Sequence, residues 1–258
     1  MNKSSAQKPQ IRDVSAYISP LSINYLHIRN PWISAFWSAA FPVLGQILMG
    51  KYLIGFGLIS WEFFINQKGG LNLAIVYSMI GEFDQAKHVL NTRWFLLYIP
   101  LYIYGIWDSF TRTTLYKKYY FLSYKKGYPV ISKNINTFEL NKLEKRNPIF
   151  SMLWSIFTPG MGYLYINRFL SVFIFFLWFI VNVYFSKLLP AIHFTMVGDF
   201  QASKQILNPQ WLLYIPSLYL FVIYDSYVQT VEYNKIFEKE QAFYFKREYQ
   251  NKDFIMPN

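Results

Sequence analysis

The chain has 258 residues, a net charge of +11 and no cysteine; 53% of it is hydrophobic and 21% aromatic. Charged residues make up only 15%, against about 25% in an ordinary soluble domain, so polar surface is too scarce to cover a water-soluble fold of this composition. Without thiols there are no disulfide frameworks, thiol catalysis or Cys-based metal sites. The cations cluster beside apolar runs and not along a polar groove, which points to a bilayer with anionic headgroups and away from nucleic acid.

Residues 1–29 read as a polar arm with Lys3, Lys8, Arg12 and Arg29 and no apolar core of signal-peptide length. The first apolar span is therefore expected to target the chain, leaving the arm in the cytoplasm. Residues 30–117 form a first membrane repeat. Its short apolar stretch, residues 31–44, is broken by Pro42 and reads as a half-span or interfacial helix; residues 52–65 and 94–110 read as crossings. Between the crossings, residues 72–86 carry the Ala, Tyr, Gly, Ala spacing of a small helix hairpin, expected to lie on the outer surface. A basic linker, residues 118–146, follows. A second membrane repeat occupies residues 147–234, with a half-span at 148–161 and crossings at 169–185 and 211–228, and the charged tail 235–258 is expected to continue the last helix.

The second repeat answers the first at an offset of about 117 residues, and the matches fall on residue types that apolar composition alone does not align. Asn30-Pro31 returns as Asn147-Pro148, Pro42 as Pro159, Gly45 as Gly162, Asn91 as Asn208, and Asp108-Ser109 as Asp225-Ser226. Trp37, Trp61 and Trp94 have counterparts in Trp154, Trp178 and Trp211. In the second copy of the outer insert, residues 198–202 keep only the turn. The expected fold is an all-α integral membrane protein, a tandem of two helical hairpin units with about four transmembrane helices and two half-spans.

Charge sets the orientation. Residues 111–147 hold nine Lys/Arg against two acids, whereas the loops at 67–93 and 186–210 hold three and two cations. The positive-inside rule places the arm, linker and tail in the cytoplasm and the two loops outside, which demands an even number of crossings per unit. A three-crossing inverted repeat would put the linker outside. The abundance of Lys, Asn, Ile, Phe and Tyr suits a bacterial plasma-membrane protein.

Ahead of each first crossing stands a turn: Pro42, Gly45, Gln46, Gly50, Lys51, and then Pro159, Gly162, Tyr163, Asn167, Arg168. Gly50 and Asn167 suit positive φ, Gly45 and Gly162 suit close helix approach, and Lys51 and Arg168 are placed to reach lipid headgroups. With Asp108 and Asp225 late in the second helix of each unit, these turns resemble the transmembrane-two domain family of small helical hairpins. The resemblance covers about 60 residues of each unit. It implies a fold and a location, and no activity. The chain lacks the family's usual His or Asp-Arg-Phe in the turn, has Asn167 for a glycine, and carries the insert between helices.

Asp108 and Asp225 are the candidate chemical residues. A carboxylate in an apolar span costs on the order of 2.5–3.5 kcal/mol at mid-bilayer, so it tends to face the bundle and pair. Near the cytoplasmic end Arg112, Lys51 or Arg168 could neutralise it. A structural ion pair is the leading reading and a proton or ion relay the second. Glu62 has Phe179 at the matching position, so no carboxylate dyad is expected. His27, His88 and His193 are scattered, and no nucleotide loop or nucleophile elbow is present, so no catalytic residue, metal or cofactor is assigned. The sequence thus suggests a non-enzymatic structural, scaffold or regulatory component of a membrane assembly, self-associating or bound to another membrane protein. A small-solute or ion transporter using Asp108 and Asp225 is the alternative, and a membrane-embedded enzyme the third reading.

Overall fold

The computed structural model describes residues 16–18, 23–25, 28–42, 44–126, 130–131, 133–135 and 140–250. In the arm, β1 (Ala16–Ile18) and β2 (Ile23–Tyr25) pair antiparallel. Six helices follow: α1 (Pro31–Ala40), α2 (Leu44–Leu48), α3 (Tyr52–Gly69), α4 (Leu71–Met79), α5 (Phe83–Val89) and α6 (Thr92–Lys126). The linker contributes β3 (Val130–Ile131), which lies parallel to β1, and the antiparallel pair β4 (Lys133–Ile135) and β5 (Leu140–Lys142). The remaining helices are α7 (Pro148–Phe157), α8 (Met161–Tyr165), α9 (Phe169–Ser186), α10 (Leu188–Met196), α11 (Phe200–Ile206), α12 (Pro209–Leu212) and α13 (Tyr214–Tyr249). Helices of 10, 5, 18, 9 and 7 residues thus occur in the same order in each half.

The recurring Asn residues are helix starts. Asn30 Oδ1 accepts from Trp32 N at 3.0 Å and Asn147 Oδ1 from Ile149 N at 2.9 Å, with Pro31 and Pro148 at N1, where a missing N–H costs nothing. Asn91 and Asn208 do the same for α6 and α12, accepting from Arg93 N and Gln210 N. At the far end of each short turn, Gly50 (φ 74°) and Asn167 (φ 56°) adopt the left-handed conformation expected of them.

The first helices enter and turn back. Trp32 packs edge-on against Phe110 at 5.0 Å, while the Tyr102 hydroxyl donates to Ala39 O at 2.7 Å, so α1 runs antiparallel to α6. Past Phe41 and Pro42 the chain reverses: Gln46 Nε2 donates to Gly105 O at 3.0 Å and Thr113 Oγ1 to Met49 Sδ at 3.2 Å. The second half repeats the course. The Tyr219 hydroxyl donates to Ile156 O near the tip, and Ser151 Oγ donates to Ser226 O at 3.2 Å near the entry. Ten helical residues rise about 15 Å, half the thickness of a bilayer's hydrocarbon core.

The core forms between the halves. Trp37 of α1 and Phe41 just past its end pack on Phe221 and Tyr214 of α13 at 5.2 and 5.8 Å, and Phe63 of α3 meets Trp178 of α9 at 5.3 Å. At one end of the molecule Glu144 N donates to the Tyr233 hydroxyl and Arg146 N to Asn234 Oδ1, joining the linker to the extension of α13. The opposite end is built from α4, α5, α10, α11 and the start of α12, where Asn72 Nδ2 donates to Gln210 O and Leu73 N to Gln210 Oε1.

Several expectations are corrected. The second outer insert keeps more than its turn: α10 and α11 form a full helix pair, closed by Asp199, whose carboxylate accepts from Ala202 N at 2.9 Å. Helix α6 extends beyond the apolar run 94–110, because no helix-breaking residue interrupts the charged sequence that follows; the expected continuation of the last helix is α13, which runs on to Tyr249. They cross the unit boundaries set at residues 117 and 234. Of the four expected crossings, two stretches, Phe169–Ser186 and Pro209–Lys246, are long and apolar enough to span a membrane. In the first half Glu62, Asn66, Gln67 and Lys68 dilute α3, and Tyr98, Pro100, Tyr102, Tyr104 and Trp107 dilute α6. Residues 1–15 of the arm and 251–258 of the tail lie outside the described residues.

Candidate functional site

Asp108 and Asp225 sit on α6 and α13 where these helices meet the returning α2 and α8. Both are buried, at 4% and 3% exposure. Each is held from two directions. Along its own helix, Asp108 Oδ1 receives Arg112 Nε and Asp225 Oδ1 receives Gln229 Nε2 at 3.0 Å, both four residues on. Across the interface, Gln46 Nε2 lies 3.4 Å from Asp108 Oδ2, and the Tyr163 hydroxyl donates to Asp225 Oδ2 at 2.7 Å. Gln46 and Tyr163 are matching positions of the two turns. Asp225 gains a further partner in Arg29, whose guanidinium stands 3.7 Å away and is itself buried. In the sequence Arg29 stands with the cations of the polar arm, and only the fold brings it to Asp225.

The serines after the aspartates bring the backbones together. A Cβ on Gly45 would stand 2.7 Å from Ser109 Cβ and collide with Ser34 and Ser38; one on Gly162 would stand 2.9 Å from Ser226 Cβ and collide with Ser151 and Ser155. Glycine is thus required at both places by contact, as the close-approach reading anticipated. Pro42 and Pro159 are buried beside these glycines at the reversals. The arrangement is a clamp: carboxylate, serine and glycine fix a short entering helix and its return to the interior of a long one.

The two basic turn residues part company. Lys51 is half-buried with Nζ 5.6 Å from the Tyr116 ring centroid, and burial together with the Arg112 charge lowers its pKa. Arg168, expected at lipid headgroups, is instead 4% exposed, and its guanidinium donates to the Tyr52 hydroxyl of the other half. Tyr52 in turn lies 3.1 Å from Ser171 Oγ. The turn thus leaves Lys51 at the rim of the first half, whereas its counterpart in the second half faces the first half at Tyr52.

A second polar site lies toward the opposite end. Glu62 of α3 is 1% exposed. Its Oε1 accepts from Asn66 Nδ2 at 3.3 Å, and Asn66 is otherwise saturated, donating to Asn72 Oδ1 and accepting from Asn72 N and from Gln210 Nε2 at 2.8 Å. Glu62 Oε2 makes no hydrogen bond of ordinary geometry, though the Tyr98 hydroxyl of α6 interacts with the carboxylate. The carboxylate borders a cavity of about 670 Å³ walled by α3, α4, α6, the tip of α1 and the start of α13. Sequence reading noticed Glu62 only as an unmatched acid. The available signal was that Asn66 and Asn72 are unmatched too, facing Val183 and Leu189 at the offset.

Among the described residues no group of three His, Asp or Glu comes together as a metal site. Compared with known proteins, the chain matches no family model, no curated protein and no solved structure.

Proposed function

We propose that the chain is a non-enzymatic integral membrane protein of two hairpin units, serving as a structural, scaffold or regulatory component of a membrane assembly. Membrane residence is supported by where the apolar surface lies. Only 28% of the Phe169–Ser186 stretch and 33% of the apolar window in Pro209–Lys246 are buried, whereas the core helix of a soluble protein would be mostly enclosed. Large side chains such as Phe150, Phe157, Phe173 and Leu220 point outward. Helices α3 and α6 complete four crossings in this reading, with α1–α2 and α7–α8 as half-spans, and the transmembrane-two likeness of the turns belongs to it. The cationic arm, linker and tail face the cytoplasm and anionic headgroups.

The observation that carries the structural role is that both aspartates are spent inside the fold. Their oxygens are engaged by Arg112 and Gln46 in one half and by Gln229, Tyr163 and Arg29 in the other. A relay carboxylate has to exchange its proton or ion with a path, and these hold helices together instead. Reconstituted protein should therefore give no solute or proton flux above empty vesicles, and should form a defined oligomer or a stoichiometric complex with a membrane partner. Flux that disappears in Asp108→Asn or Asp225→Asn protein would establish the transporter alternative.

A further inference from the structure

The half-span architecture has a geometric cost. An entering helix that stops at Ala40 leaves the space beyond its tip to be filled by something else. In the first half, that space is the cavity of about 670 Å³ beneath α4, a volume in the range that encloses small ligands. Its walls include Phe41, Ala74, Phe95, Tyr98, Tyr102 and Tyr214. Exposed Ala40, Ile75, Met79 and Pro216 stand at its edge, so the cavity is reachable from the surface.

One charged group borders this chamber, and it is an acid. No Lys, Arg or His is among the lining residues, and no ion pair reaches Glu62 among the described residues. Asn66 holds Oε1 and is itself locked by Asn72 and Gln210, and the Tyr98 hydroxyl also interacts with the carboxylate, so the acid is fixed in place among neutral donors with no cation beside it. A buried carboxylate held by neutral donors alone is expensive unless a cation meets it. At the matching positions the second half has Phe179, Val183 and Leu189 for Glu62, Asn66 and Asn72, and Ile215 for Tyr98. Of this set Asn66 and Asn72 serve the bridge to Gln210, whereas Glu62 takes no part in that bridge and the second half folds with Phe in its place, so the acid is the group left for a ligand.

We propose that this cavity binds a primary ammonium group carried on an apolar body, with Glu62 as its counter-ion. A charged N–H donor meets the carboxylate, the aromatic faces attract the same cation, and the aliphatic walls take the body. A bare metal ion fits less well: it needs several oxygens within about 2.6 Å, and a chamber of this size lined mostly by carbon does not close around it. The ammonium could be the headgroup of an ethanolamine phospholipid entering from the bilayer or a free arylalkylamine entering from outside. The recognition chemistry is shared.

The test uses the full chain in nanodiscs. In phosphatidylcholine/phosphatidylglycerol discs, binding of 2-phenylethylammonium is compared with that of 2-phenylethanol by equilibrium dialysis; in mixed discs, retention of phosphatidylethanolamine over phosphatidylcholine is read by native mass spectrometry. The wild type should prefer the ammonium species by about tenfold or more in one of the two arms, and Glu62→Gln should abolish that preference. Preference in the lipid arm alone identifies the headgroup as the source, and preference in the dialysis arm alone identifies the free amine. Equal binding of amine and alcohol together with equal retention of both lipids overturns the proposal, as does a preference that survives Glu62→Gln. Should that variant fail to fold, Ala74→Trp fills the chamber without touching the carboxylate. It should remove the wild-type preference, and an unchanged preference overturns the proposal equally.

Discussion

Asp108 and Asp225 occupy matching positions yet differ in what would be stranded by their loss. The Arg112 side chain is 37% exposed and can turn to water or headgroups, whereas that of Arg29 is 7% exposed and enclosed by the fold. Asp108→Asn should therefore cost about 1 kcal/mol, and Asp225→Asn about 2–4 kcal/mol, because it removes a negative charge that faces a buried guanidinium. Thermal unfolding in detergent checks the order, and adding Arg29→Gln to Asp225→Asn should recover part of the loss. Equal costs would mean that Arg29 does not depend on Asp225. The importance of both aspartates was legible in the sequence because each occurs twice and is followed by serine. Arg29 was not, since nothing local distinguishes it from the other cations of the arm; only the fold brings residue 29 to residue 225. The glycines were legible for the same reason as the aspartates. Gly45→Leu or Gly162→Leu should lower folded yield sharply, with an overpacking cost of about 1–3 kcal/mol or more, since the collisions involve backbone atoms of Ser34 and Ser151 that cannot swing away.

At the scale of the elements, periodicity and punctuation revealed the entering helices and the long apolar helices that follow them, and the Pro42 and Pro159 breaks fall where α1 and α7 end. Helix α10 escaped notice because its sequence, with Pro190 in the first turn, lacks the small-residue spacing that marks α4. What holds the outer elements to the bundle is a bridge between halves: Gln210 receives Leu73 N on Oε1, donates from Nε2 to Asn66 O and Oδ1, and accepts Asn72 Nδ2 at its carbonyl. Its counterpart at the offset is Arg93, which makes the asymmetry invisible to a repeat alignment. Gln210→Ala leaves Leu73 N without its acceptor and removes one of the two donors to Asn66 O, which keeps Gly70 N. A destabilisation of about 1–3 kcal/mol is expected, with faster amide exchange in α4 while α1 and α7 keep their protection. Uniform loss of protection over all helices would instead make Gln210 part of the global folding unit.

For the whole molecule, the decisive geometry is that arm, linker and final helix converge. Strand β1 of the arm pairs with β3 of the linker, and the linker backbone bonds Tyr233 and Asn234 beyond the last apolar run. The far end, with Gly81 and Gly198 at the hairpin turns, makes none of these contacts. A chain whose arm, linker and tail share one end returns to that end after each half, so each half crosses an even number of times if it lies in a membrane. The charge bias then selects the orientation, because the shared end carries the cation-rich linker. Reporter fusions after Lys126 and after Asn258 should both read cytoplasm, and one inserted at Gly81, where a side chain would meet open space, should read the outside. An external signal after Lys126 with a cytoplasmic one after Asn258 would require an odd number of crossings in each half. That result would separate β1 from β3 by a bilayer, and neither the shared end nor the two half-spans could then stand.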